Sequence, residues 1–128
     1  MSEFVGVKGI GVDIVLVPRI KAALENTPGF AQRVLTKSEL QQMSERKQQA
    51  NFVAKRFAAK EAVVKSLGQG IRNGISWQDI EISNDSFGAP KVTLTGAALN
   101  QMRALGANEC LISLSDESDT AIAFAILN

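Results

Sequence analysis

The 128-residue chain contains no histidine. That absence excludes Ser-His-Asp and Cys-His nucleophilic sites and removes the usual imidazole ligands of zinc. Acid–base chemistry therefore falls to carboxylates, lysines or a metal-bound water. Tyrosine is also absent, and aromatic residues make up only 5% of the chain. The single cysteine, Cys110, excludes an intrachain disulfide framework and suits a reducing cytoplasm. Its place before the apolar Leu111-Ile112 predicts a buried structural thiol instead of a nucleophile. No apolar run reaches membrane-spanning length. The start, Met1-Ser2-Glu3-Phe4, lacks a basic region followed by a long apolar one, so no signal peptide is expected. A formal charge of only +1 gives no reason to expect nucleic-acid binding, although local patches of either sign remain compatible with it.

What is present is ample apolar material. Hydrophobic residues account for 45% of a chain whose length suits one domain, residues 1–128, with one core. No linker, low-complexity segment or internal repeat interrupts it. Lys8 to Val17 reads as a buried strand, and Pro18 suits the first turn of a short helix, Arg19 to Glu25. Asn26-Thr27-Pro28-Gly29 breaks that helix. Thr36 and Glu39 have capping-box spacing, so a second helix is predicted from there. The main helix is predicted from Gln48 to Leu67, with Gly68 as its stop. Strands follow at Ile75 to Ser83 and Lys91 to Thr95, joined by a turn at Asp85-Ser86-Phe87-Gly88. A helix from Gly96 to Leu105 precedes two strands, Glu109 to Ser115 and Thr120 to Leu127. The short Asp116-Glu117-Ser118-Asp119 connection makes this last pair a hairpin. Helices mostly before clustered strands predict an α+β fold: one small domain with a mainly antiparallel sheet packed against a long helix.

Two carboxylates stand where a core should not want them. Asp13 interrupts the apolar run Gly9-Ile10-Gly11-Val12-Asp13-Ile14-Val15-Leu16-Val17, and Glu61 lies within the main helix. Carboxylates are seldom buried unless paired, hydrogen-bonded or bound to a cation. If strand and helix pack together, Asp13 and Glu61 are placed to share one hard divalent ion. On a helical wheel Val53, Phe57, Val63, Val64 and Leu67 form one broad arc that also contains Arg56 and Lys60, with Glu61 at its edge. Ala54, Ala58 and Ala62 lie largely opposite, where they permit close packing on a second surface. The helix is therefore expected to be covered on several sides, with its charges facing a cleft. The plainer alternative is that Arg56 and Lys60 snorkel and Glu61 pairs with Lys65 four residues on. The loop Gly68-Gln69-Gly70-Ile71-Arg72-Asn73-Gly74 is neither a P-loop nor a dinucleotide fingerprint. Its backbone N–H groups, beside Arg56, Lys60, Lys65 and Arg72, are nevertheless suited to phosphate.

Several motifs, in order and over nearly the whole chain, resemble the bacterial holo-[acyl-carrier-protein] synthases, which are small 4′-phosphopantetheinyl transferases. They are Gly11-Val12-Asp13-Ile14-Val15 with Arg19-Ile20; Arg56-Phe57-Ala58-Ala59-Lys60-Glu61-Ala62 with Lys65; and Leu67-Gly68-Gln69-Gly70-Ile71. Further matches are Gly74-Ile75-Ser76-Trp77 with Asp79-Ile80-Glu81-Ile82, Gly88 with Pro90, and Ser113-Leu114-Ser115-Asp116-Glu117.

The resemblance implies a phosphopantetheinyl-transferase-like fold and a defined reaction. Phosphopantetheine passes from coenzyme A to a serine of apo acyl carrier protein, leaving adenosine 3′,5′-bisphosphate, in the service of fatty acid biosynthesis. It implies Mg²⁺, with Mn²⁺ as the alternative, held by Asp13 and Glu61, and a cytoplasmic homotrimer with active sites between subunits. Lys65 is then the candidate phosphate contact near the leaving group. Arg56 and Lys60 are candidates for other coenzyme A phosphates, and Gly68 and Gly70 for lining the nucleotide site. Arg19 and Lys21, on a helix that the resemblance makes the carrier-protein contact, are the candidate partner residues, with Arg33 following. Catalysis would rest on Asp13, Glu61 and Lys65. The serine proton would go either to Glu61 or to a metal-bound water, the relay being slightly preferred. One position departs from the family: the closing motif usually reads Ser-His-Glu and here reads Ser115-Asp116-Glu117. Asp116 cannot act as an imidazole and adds negative charge near phosphates. That departure motivates an alternative, a catalytically degenerate relative that binds coenzyme A or carrier protein. A purely structural oligomerisation domain is the remaining reading.

Overall fold

The computed structural model describes residues 6–68 and 74–128. Strand β1 (Gly9–Leu16) leads into α1 (Val17–Asn26), which Pro18 starts two residues earlier than the sequence reading. Two short helices follow, α2 (Phe30–Val34) and α3 (Lys37–Ser44). The sequence reading has no helix at α2; its five residues are too few to show a period. At α3 the expected capping box is formed: the Thr36 hydroxyl accepts from the Glu39 N–H, and Glu39 accepts from the Thr36 N–H at 2.8 Å. The long helix α4 (Gln49–Ser66) comes next. Strands β2 (Ile80–Asn84) and β3 (Pro90–Leu94), helix α5 (Gly96–Ala104), and strands β4 (Cys110–Glu117) and β5 (Thr120–Leu127) complete the order. The strand expected from Ile75 begins only at Ile80. Ser76 instead caps a one-turn 3₁₀ helix, Trp77–Asp79, through its own capping box with Asp79.

The strands form two antiparallel sheets, β1-β5-β4 and β2-β3. β4 and β5 make the expected hairpin, with Ser118 in the left-handed region at φ 52°. Helix α4 lies between the sheets: β1 and β5 pack along one side of it, β2 and α3 along another. Ala54, Ala58 and Ala62, the small face anticipated from the wheel, are all but sealed from solvent. Two glycines allow this approach. A β-carbon on Gly9 would lie 2.0 Å from the Ser66 carbonyl oxygen, and one on Gly11 2.0 Å from that of Ala62. Only glycine lets the strand backbone lie against the helix backbone there.

β1 departs from the buried strand read from its composition. Gly9, Gly11, Asp13 and Val15 face α4, whereas Ile10, Val12, Ile14 and Leu16 are exposed, at 62%, 53%, 63% and 44%. A sheet three strands wide has only one face covered by α4. The register places Val12 opposite Phe124 and Ile14 opposite Ile122, so the outward side of β1 and β5 is one continuous apolar surface. Among the described residues no helix is long and apolar enough to cross a membrane. Cys110 is buried, and burial pushes its thiol up to about 11 against a weaker opposing hydrogen bond with Ser66, so it is inert at neutral pH.

Candidate active site

The alternation of β1 that sets Gly9 and Gly11 against α4 also points Asp13 at it. On α4, Ala62, Lys65 and Ser66 meet Gly11 of β1, and Lys65 lies one turn beyond Glu61 on the helix surface. Strand and helix therefore bring the two predicted carboxylates together. Their proximity shows in Glu61, whose carboxyl is raised above the usual range by burial and further by the charge of Asp13, with Lys65 opposing. Lys65 does not simply pair along its own helix. Its Nζ donates across to β1, to the Asp13 Oδ1 and to the Val12 carbonyl oxygen, each at 3.0 Å. The Asp13 side chain is 16% exposed and that of Lys65 53%, so the trio sits at the mouth of the strand–helix seam. Among the described residues no group of three or more His, Cys, Asp or Glu is placed to hold a metal. Two carboxylates nonetheless fit Mg²⁺, which uses one or two of them together with water and substrate phosphate.

Lys60, the residue before Glu61, and Arg56, four residues further toward the start of α4, separate in role. Lys60 is fully buried. Its ammonium pairs with Glu39 Oε1 at 2.6 Å and donates to the carbonyl oxygens of Val34 at 2.7 Å and Trp77 at 3.1 Å. Every proton of the ammonium is thus used internally. This corrects the expectation that Lys60 meets coenzyme A: it is a core strut with no free donor and no route to solvent. Glu39, read from sequence only as a cap, is the counter-charge, and its second oxygen accepts from the Ile82 N–H at 2.8 Å.

Arg56 is also buried, at 4% exposed, but it lines an open cleft of about 230 Å³ with Arg46, Lys55, Asn84 and Asp116. Its guanidinium lies 4.6 Å from the Phe52 ring centroid and donates to Gln42 Oε1 and Asn84 Oδ1. Its Nε is buried without a partner. Burial lowers the Arg56 pKa, with Glu39 opposing. The sequence reading omits Arg46 and Lys55 from this cluster. Nothing in their spacing marks them, because loop geometry brings Arg46 there. Asp116, near the end of β4, stands in the same cleft, 4.0 Å from Lys55.

Gly68 ends the helix at φ 76°, exposed, with open space around its α-carbon. Gly70 and Arg72, also called for phosphate, lie outside the described residues. Arg19 and Lys21 are exposed on α1 and Arg33 on α2. Lys21 also borders an open cleft of about 550 Å³ with Leu24, Lys47 and Ser118.

Residues 9–125 match the family model for the 4′-phosphopantetheinyl transferase superfamily. The chain belongs to that superfamily. Within it, the chain is 48% identical over 122 residues to the holo-[acyl-carrier-protein] synthase of Shewanella amazonensis, covering 94% of this chain and 98% of that one. The solved holo-[acyl-carrier-protein] synthase of Neisseria meningitidis superposes with a TM-score of 0.86 at 38% identity, over 96% and 99% of the two chains. The Bacillus anthracis holo-(acyl-carrier-protein) synthase, solved in complex with CoA (3′,5′-ADP), superposes at a TM-score of 0.81 with 33% identity, over 94% and 96%. The α+β phosphopantetheinyl-transferase fold expected from sequence is thereby established for this chain.

Proposed function

We propose that this chain is a holo-[acyl-carrier-protein] synthase. It moves 4′-phosphopantetheine from coenzyme A to a serine hydroxyl of apo acyl carrier protein and releases adenosine 3′,5′-bisphosphate. The relatives bearing that name, at near-complete coverage, support the reaction class. The observation that carries the reading onto this chain is the convergence of Asp13, Glu61 and Lys65 at one seam.

Asp13 and Glu61 are the ligands for Mg²⁺ or Mn²⁺. When bound, the ion supplies neutralisation of charge on the pyrophosphate oxygens. Lys65, half-exposed beside them, offers an ammonium to the same phosphates. The proton of the attacking serine goes to Glu61 or to a water held at the ion, the relay being slightly preferred. Arg56, with Arg46, is assigned to a further phosphate of the coenzyme. Arg56 borders the cation-lined cleft and keeps an unpartnered buried donor at Nε, which together suit a ligand oxygen. The exposed Arg19 and Lys21 on α1 are the proposed contacts for an acidic carrier protein.

The proposal includes a homotrimer. The outward apolar side of β1 and β5 supports self-association, since monomers rarely leave a contiguous face of Ile, Val and Phe in water. In such an assembly a neighbouring chain completes each site.

The test is intact-mass spectrometry of an apo acyl carrier protein incubated with this protein, coenzyme A and Mg²⁺. A metal-dependent gain of one phosphopantetheine, absent with Asp13→Ala or Glu61→Ala, is the expected result. Binding of coenzyme A without any mass gain across several carrier proteins would replace this reading with the degenerate binding protein.

A further inference from the structure

The position of the Lys65 ammonium has a consequence for how the site loads. Lys65 follows Glu61 by four residues and by helix geometry has that carboxylate as its nearest acidic neighbour. Its Nζ instead reaches across the seam to two oxygens of β1, the Asp13 carboxylate and the Val12 carbonyl. A carboxylate and a backbone carbonyl are also the oxygen types a hard divalent ion takes. An ammonium and a divalent ion cannot occupy the same few ångströms beside Asp13, because both are cations and both need the same lone pairs.

We propose that Lys65 is the resident counter-cation of Asp13, displaced when a divalent ion binds there, so that metal loading releases the ammonium toward substrate phosphate. The inference rests on the assignment of Asp13 and Glu61 as metal ligands. Two contrasts favour it. The Lys65 side chain is 53% exposed and is held by its ion pair with Asp13 and one hydrogen bond to the Val12 carbonyl, so its ammonium can exchange these two oxygens for water or phosphate. Lys60, five residues earlier, is sealed with all three donors used and has no such freedom. The release also creates order. A lysine engaged with Asp13 is a poor phosphate ligand, and a lysine set free by the metal remains tethered within reach of it. Metal and coenzyme A are then positively coupled through Lys65, and the coupling is reciprocal.

The test uses full-length protein, freed of metal by chelation, and needs no turnover. Mg²⁺ binding is measured by calorimetry for wild type and Lys65→Met. In parallel, amine acetylation at Lys65 is followed by peptide mass spectrometry with and without Mg²⁺, with Lys55 as internal reference. Exchange predicts metal binding tighter in Lys65→Met by about fivefold or more, from loss of a competing charge at contact distance. It also predicts faster acetylation of Lys65, relative to Lys55, when Mg²⁺ is added. Wild-type binding with unchanged or slower Lys65 acetylation would overturn the exchange and leave the metal ligands standing. Absence of Mg²⁺ binding to either protein would overturn both the exchange and the ligand assignment beneath it.

Discussion

Gly11 touches Ala62 so closely that a β-carbon on the glycine would stand 2.0 Å from the Ala62 carbonyl oxygen, 2.8 Å from the Ser66 nitrogen and 2.9 Å from the Lys65 β-carbon. Two of those three atoms are helix backbone and cannot step aside. The contact sets the distance between β1 and α4, and hence between Asp13 and the Glu61–Lys65 turn. Gly11→Ala is therefore expected to force the strand off the helix. A loss of about 3 kcal/mol or more is the expected scale for overpacking against backbone. Thermal denaturation measures it, and Mg²⁺ binding by calorimetry should weaken in the folded fraction that remains. A variant with wild-type melting and metal affinity would show that the seam is softer than its geometry.

The buried Lys60–Glu39 pair makes a different kind of prediction. Removing one partner, as in Lys60→Met, leaves the Glu39 charge in the core and is expected to cost about 3–5 kcal/mol. Replacing both with apolar residues of similar volume, Glu39→Leu with Lys60→Met, removes both charges but still orphans the Ile82 and Thr36 N–H groups that Glu39 accepts. The double variant should thus recover part of the loss, not all of it. Chemical denaturation of the two single variants and the double variant gives the coupling directly, and a strictly additive cycle would contradict a contact at 2.6 Å.

The pair also shows where sequence reading reached its limit. The capping box at Thr36 and Glu39, the small face of α4 and the closing hairpin are legible because each depends on residues near in sequence, whereas the role of the β1 glycines is not, because it depends on Ala62 and Ser66 of a distant helix. The meeting of Asp13 with Glu61 is legible as well, because strand alternation and helical spacing fix two directions in advance. Lys60 was misplaced for the opposite reason. Its partners, Val34, Glu39 and Trp77, come from three separate segments, and no local pattern distinguishes a lysine bound for the core from one bound for a ligand. Arg46 and Lys55 entered the Arg56 cleft unannounced on the same grounds. The exposed side of β1 was hidden because a strand with apolar residues on both sides reads as buried, whatever covers it.

Glu61 should hold down the stability of the protein it serves. Its folded-state pKa is raised by burial and by Asp13, so its favourable, protonated contribution is complete below the ordinary carboxylate pKa of about 4.3 and is lost as pH rises through the folded value. At neutral pH the ionised carboxylate is a burden without a bound cation. Glu61→Gln is therefore expected to raise the melting temperature of chelator-treated protein at pH 7 by a few degrees, to lose that advantage as pH falls toward 4, and to abolish transfer. Melting curves across that range check the sign. A variant less stable than wild type at pH 7 would mean that Glu61 makes a stabilising contact outweighing its desolvation.

The apolar side of β1 and β5 should be where copies of the chain meet. Ile14 and Ile122 lie opposite each other in the register and are 63% and 38% exposed. Ile14→Lys places a charge in the middle of that surface without touching the side that packs on α4. Light scattering behind size exclusion is expected to show a trimer for wild type and a monomer for Ile14→Lys at micromolar concentration, with transfer activity reduced at least tenfold because sites are no longer completed by a neighbour. A wild-type monomer, or a variant that stays assembled, would remove β1 from the interface.

Asp116 bears on the substrate through charge. The cleft it shares with Arg46, Lys55 and Arg56 carries three cations, and Asp116 offsets one of them at 4.0 Å from Lys55. The Asp116 side chain is 54% exposed, so the offset is screened and worth little to the fold. For a ligand carrying phosphate the same charge is repulsive, and it strengthens as the ligand excludes water from the cleft. Asp116→Asn keeps the size and removes the charge. It is expected to leave melting within about 0.5 kcal/mol of wild type, as for other surface changes. The KM for coenzyme A should fall by about two- to fivefold at low salt, and the gain should shrink as salt rises because the interaction is Coulombic. kcat should stay near wild type, since Asp116 sits with the Arg56 cluster and not at the Asp13–Glu61 seam. A rise in KM would instead make Asp116 a ligand residue that accepts a hydrogen bond from the coenzyme. A collapse of kcat would move it into the catalytic step.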